Sequence, residues 1–134
     1  MLGDQVGTSE GKITGRRVLP SEGGGPLVEV TIAESGTLLG LDVNWIATYV
    51  SELMPDGTLS GEGRGVVMAS NGEGASFKAA GAGRFTETGG ANFRGALYYQ
   101  STSPTLSRLN GVAVVYEHDA DENDNTRTSL WEWK

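Results

Sequence analysis

Charged side chains on strand-like segments are the first candidates for chemistry. Glu62 and Arg64 lie two residues apart between glycines, so in an extended strand they share one face. Arg84, Arg94, Glu117 and Glu132 fall in other segments of the same kind. Any of them that points into the interior must be paired, because an unpaired buried charge is very costly. A paired cluster in a pocket binds an anion or polarises a carbonyl. The competing reading is a structural ion-pair network, or a face turned to water. Tyr49, Tyr98, Gln100 and Asn110 would hydrogen-bond a ligand in an otherwise apolar cavity, or else satisfy polar groups at barrel ends. Tyr98 and Tyr99 are neighbours, so they face opposite sides and only one lines the interior. Trp45, Trp131 and Trp133 would wall a pocket, although such residues more often fill a core or an interface.

Other chemistries fall away. The chain has no cysteine and one histidine, His118, which leaves no thiolate metal site, no Cys nucleophile and no multi-histidine zinc site. No cofactor is expected. His118 sits beside Glu117 and Asp119 at the end of a strand-like run, where it reads as an edge histidine able to titrate near neutral pH. Asp119, Asp121 and Asn123 have the spacing that opens a calcium loop. Asp124 then stands where glycine is needed and Leu130 where the bidentate Glu belongs, so the segment reads as a solvated acidic hairpin. Gly61-Glu62-Gly63-Arg64-Gly65 lacks the spacing and the following helix of a dinucleotide fingerprint.

The elements that must position these groups are strands. Val28, Val30 and Ile32 alternate with Glu29 and Thr31, and Leu39 to Tyr49 alternate in the same way. Phe77 to Phe85, Phe93 to Tyr99 and Val112 to Tyr116 repeat the pattern. The period is two rather than 3.6, and no segment has a capped amphipathic helical face. Turn signals separate the runs: Gly23-Gly24-Gly25-Pro26, Ser35-Gly36, Pro55-Asp56-Gly57-Thr58, Asn71-Gly72, Gly89-Gly90, 101–104 and 121–125. About eight strands are predicted, near 12–19, 27–35, 38–54, 58–69, 75–86, 92–101, 109–118 and 126–133, with the long 38–54 run able to bend or split. Short hairpins favour neighbour pairing. Eight strands are enough to close an antiparallel up-and-down β-barrel around a filled or ligand-sized interior, a two-sheet sandwich being the alternative. The 134 residues fit one domain, with a polar and loose segment expected at 1–11.

Several segments together resemble a bacterial family of uncharacterised proteins with an allene oxide cyclase-like barrel, a relative of the calycins. They are Thr48-Tyr49-Val50-Ser51, the run from Pro55 to Gly65, and Gly83-Arg84-Phe85-Thr86. Phe93 to Gln100, Leu109 to Ala113, and the closing Leu130-Trp131-Glu132-Trp133-Lys134 complete the set, which spans about the last two-thirds of the chain. The resemblance implies an antiparallel barrel and an oligomer, but no established activity. The catalytic residues of true allene oxide cyclases have no place on this sequence, and a fold does not fix a function.

Charge and hydropathy narrow the partners. A net charge of −7, with the arginines spread singly, disfavours nucleic acid. No apolar run approaches the ~18 residues of a membrane helix, and the first residues lack the basic and apolar regions of a secretory leader. A soluble cytoplasmic protein is the simplest expectation. Three functions remain open. One is a non-catalytic or structural barrel that binds a small apolar or anionic molecule, through candidates Tyr49, Glu62, Arg64, Arg84, Arg94, Tyr98, Asn110 and Glu132. Another is a cofactor-independent cyclase or isomerase, with Glu62, Arg94 or Asn110 stabilising charge. The third is an oligomeric interaction protein.

Overall fold

The computed structural model describes residues 1–134. Eight strands run in chain order: β1 Leu2–Leu19, β2 Leu27–Leu38, β3 Leu41–Leu53, β4 Leu59–Ala69, β5 Gly74–Phe85, β6 Ala91–Gln100, β7 Val114–Ala120 and β8 Asn125–Trp133. Each pairs antiparallel with its neighbour in sequence, and β1 pairs with β8 to close the barrel. The up-and-down barrel read from the period-two pattern is the observed fold.

Local chemistry explains the turns. Leu39 and Gly40, at φ 49° and 80°, form the two-residue β2–β3 hairpin with the left-handed geometry that suits strand twist. The break expected at Ser35-Gly36 is not a turn. Strand β2 continues to Leu38, and Gly36 lets β1 come close: a Cβ there would lie 2.6 Å from the Ser9 Cα. The 1–11 segment is also corrected, since β1 begins at Leu2. Its inward residues are small: Gly7 is crowded by the Thr37 carbonyl and the Leu38 and Leu130 side chains, Gly11 lies against the β2 backbone at Ala33 and Glu34, and Ser9 turns its hydroxyl to Glu34, so the alternation carries no apolar mark.

A further difference lies between β6 and β7. Instead of a strand from 109, a 3₁₀ turn at Leu106–Leu109 tucks two leucines into one end of the barrel, and β7 starts at Val114. Glu73, in the β4–β5 turn, accepts the backbone N–H of Thr105 and of Leu106 at 2.7 and 3.1 Å, satisfying donors the short turn leaves free. This end also holds Leu38, Val43, Val67, Val114 and Leu130 and is packed shut. The opposite end, ringed by the β1–β2, β3–β4, β5–β6 and β7–β8 turns, is open.

Large aromatics fill the middle because the strands facing them lack side chains. A Cβ on Gly65 would overlap the Phe77 ring, and one on Gly61 would press the Phe93 ring at 3.2 Å. The glycine-rich sequence is therefore a packing device, since protein interiors leave few gaps.

Candidate functional site

Strand β2 continues the alternation of Val30 and Ile32 inward to Glu34, which is 5% exposed. Its two carboxyl oxygens accept hydrogen bonds from Ser9 Oγ and Thr126 Oγ1, each at 2.6 Å. Thr126 belongs to β8, beyond β1; Gly11 of β1, opposite both residues in register, leaves the passage between them. On β7, His118 follows Val114 and Tyr116 on the inner face and is 6% exposed. Its Nδ1 lies 2.8 Å from Thr128 Oγ1 and 3.8 Å from Glu34 Oε2. The expected edge histidine is therefore an interior one, because β7 runs on to Ala120 and period two carries His118 inward.

Burial, the largest influence, pushes the His118 pKa below its ordinary value of 6.5, while Glu34 and Asp119 pull it up and Arg94 pulls it down. The neutral ring has one N–H. Placed on Nδ1, that hydrogen points to the Thr128 oxygen with the Glu34 carboxyl close by at 3.8 Å, an arrangement that favours the tautomer whose Nε2 carries a bare lone pair. Nε2 is buried and has no protein partner, and the same holds for Trp45 Nε1. An orphaned buried polar atom calls for a partner.

Both residues line one chamber of about 70 Å³ in the barrel interior, walled also by Tyr49, Phe77, Phe93 and Tyr116. A second recess of about 220 Å³ opens at the turn-ringed end and shares Tyr49 and Phe93 with the chamber. These two rings meet edge to face at 5.6 Å and form the partition between the two spaces. Burial pushes the Tyr49 hydroxyl up to about 12, with Arg16 pulling it the other way, so it stays a neutral donor and acceptor. Arg16 stands at the rim in a two-pronged pair with Asp124, at 2.6 and 3.0 Å.

Of the sequence candidates, Tyr49 alone puts its ring into the chamber wall. Glu62 and Arg64 border it across the thin β4 wall between glycines, but both residues are exposed. Arg84 and Tyr98 are exposed on the outside. Arg94 is exposed and bonds Asp119 at 2.8 Å. Asn110 braces the closed end: it accepts the Ser101 N–H at 2.9 Å and donates to the Ser101 carbonyl at 2.8 Å. Glu132 lies at that end in an ion pair with Lys134 at 3.2 Å. The charged residues thus do not converge. The interior polar group is Ser9, Glu34, His118, Thr126 and Thr128, and Glu34 was marked in the sequence only by its place after Val30 and Ile32. No group of residues suited to a metal ion is present, and no helix is long and apolar enough to cross a membrane.

No protein-family model matches the chain, and no curated protein matches it. Solved structures do. A conserved protein of unknown function from Rhodopseudomonas palustris superposes with a TM-score of 0.82 at 13% identity, covering 98% of this chain and 97% of that one. A protein of unknown function from Clostridium acetobutylicum gives 0.83 at 10% identity, with 98% of both chains covered. A β-barrel-like protein from Acinetobacter baumannii gives 0.83 at 11% identity, covering 100% of this chain and 96% of that one. At such identities the likeness is one of fold: the chain is similar to uncharacterised β-barrel proteins.

Proposed function

We propose that the barrel binds a small, partly apolar molecule, taken in through the open end and held in the interior chamber. The observation that carries this reading is the pair of unpartnered buried nitrogens, Trp45 Nε1 and His118 Nε2, on two rings of a largely apolar wall. A bound molecule offering one acceptor and one donor would satisfy both once small ring shifts turn the two buried nitrogens to the chamber, while its apolar part packs on Phe77 and Phe93. Such a wall with a few placed polar groups is the usual make-up of a ligand site. The resemblance to allene oxide cyclase-like barrels favours a hollow barrel in the same sense. A chamber of about 70 Å³ suits a molecule of a few heavy atoms, and a longer one would displace the Tyr49–Phe93 partition into the outer recess. A charged carboxylate ligand is disfavoured, because Glu34 already brings a carboxyl to the same wall.

The test is native mass spectrometry of protein purified gently from its host, followed by denaturation and analysis of what is released. A stoichiometric small organic molecule is the expected result. A protein that carries none, and whose Trp45 environment does not respond to a panel of small ketones, alcohols and phenols, would overturn the reading.

A further inference from the structure

The chamber holds more than a binding surface. His118 has the arrangement of an oriented base: one ring nitrogen anchored by Thr128 Oγ1 at 2.8 Å beside the Glu34 carboxyl, the other buried and unpartnered on a ring that lines a largely apolar interior chamber. Glu34 is itself fixed by Ser9 and Thr126, so the imidazole has a rigid support rather than a mobile one. We propose that His118 is a general base and acid that moves a proton on a small carbonyl compound bound in this chamber, with Glu34 as its positioning residue. This rests on the reading of the chamber as a ligand site.

The step balances without any co-reactant. Nε2 takes a proton from the carbon next to the carbonyl. The C–H electron pair becomes the C=C bond of an enolate, and the carbonyl π pair moves to oxygen. The indole N–H of Trp45, the unpartnered donor of the chamber, stabilises that oxygen. The imidazolium formed is stabilised by Glu34, and the proton returns from Nε2 to the same or the vinylogous carbon. The net result is exchange or isomerisation, with the substrate neither oxidised nor reduced. Burial keeps His118 in its neutral, proton-accepting form at neutral pH. The charged groups that act on it are Glu34 inside the barrel and the Asp119–Arg94 pair on the outer face, with the Tyr49 and Tyr116 hydroxyls in the chamber wall.

Butanone is a suitable probe, since it has a carbonyl, acidic C–H bonds and a short apolar tail. Its α-proton signals are followed by NMR in D₂O with the full-length protein, while the ¹⁵N shifts of the sole histidine report binding independently. Exchange should run about 10²-fold faster than with free imidazole at equal concentration. The rate should rise with pH to a plateau through a midpoint below 6.5. His118→Gln should abolish the acceleration. Glu34→Gln should slow it and move the midpoint lower, because the carboxyl that favours the imidazolium is gone; a merely structural Glu34 would leave the midpoint unmoved. Trp45→Phe keeps the ring and should slow exchange about tenfold. Binding of butanone without faster exchange would overturn the catalytic proposal and leave the binding reading standing. No shift of the His118 resonances and no exchange would sink both.

Discussion

Glu34 on β2 and His118 on β7 meet inside the barrel, with Oε2 3.8 Å from Nδ1, although β1 and β8 lie between their strands in the sheet. Three hydroxyls make that meeting tolerable: Ser9 and Thr126 donate to Glu34, and Thr128 contacts His118. Polar groups buried in this way are kept only when satisfied, and within this cluster His118 Nε2 is the atom that is not.

Stability should depend on pH through His118. Its pKa is lowered in the folded chain, chiefly by burial, so the unfolded chain takes up the proton first as pH falls. The stability it supports is therefore complete above about 6.5 and is lost as pH drops through that value toward the folded pKa. Urea unfolding at pH 7.5 and pH 5.5 should show the wild type weaker at the lower pH, and His118→Gln should remove most of the difference. Asp56, Asp121 and Asp124 also sit below their ordinary value of 3.8, but they act in a more acidic window.

Removing the Glu34 carboxyl should cost more than removing either of its donors. Glu34→Ala leaves the Ser9 and Thr126 hydroxyls buried without an acceptor, an expected loss of about 2–4 kcal/mol, against about 1 kcal/mol for Ser9→Ala. Equilibrium urea unfolding measures both. Equal losses would mean that the carboxyl is not the hub of the network.

Gly61 should be coupled to Phe93, whose ring supplies the three atoms nearest to a Cβ there, the first at 3.2 Å. Gly61→Ala is expected to destabilise by about 1 kcal/mol through overpacking. The cost should shrink in a Phe93→Leu background. A double-mutant cycle with no coupling would contradict the packing role given to the β4 glycines.

Opening the partition should expose the chamber. Tyr49→Ala removes one of the two rings that separate it from the outer recess. In a protein with Trp131 and Trp133 replaced by Phe, acrylamide should quench the remaining Trp45 fluorescence severalfold more strongly after Tyr49→Ala. Unchanged quenching would place the access route elsewhere.

Much of the barrel was legible in the sequence, because period-two alternation and turn residues are local signals. Asn71-Gly72 and Pro55-Asp56-Gly57 mark hairpins by the backbone geometry they permit, and the strands they bound ended within a residue of expectation. The site was less legible for physical reasons. Glu34 continues the inward face of Val30 and Ile32, yet Ser35-Gly36 imitates a turn, and only the three-dimensional approach of β1 shows that Gly36 serves close packing. His118 continues the face of Val114 and Tyr116, but the strand's true end at Ala120 depends on pairing with β6 and β8. Conversely, Arg94 and Glu62 drew attention because charge is conspicuous in sequence. Alternation alone gives two faces without saying which is inside, and the wall turned both residues outward.

The most direct measurement is the ¹⁵N spectrum of the imidazole of His118, the sole histidine, recorded from pH 4 to pH 8. The expected spectrum at neutral pH shows Nδ1 protonated and Nε2 bare, with protonation setting in only below 6.5. A ring protonated on Nε2, or one that titrates above 6.5, would contradict the account of a free, oriented base in the barrel's chamber.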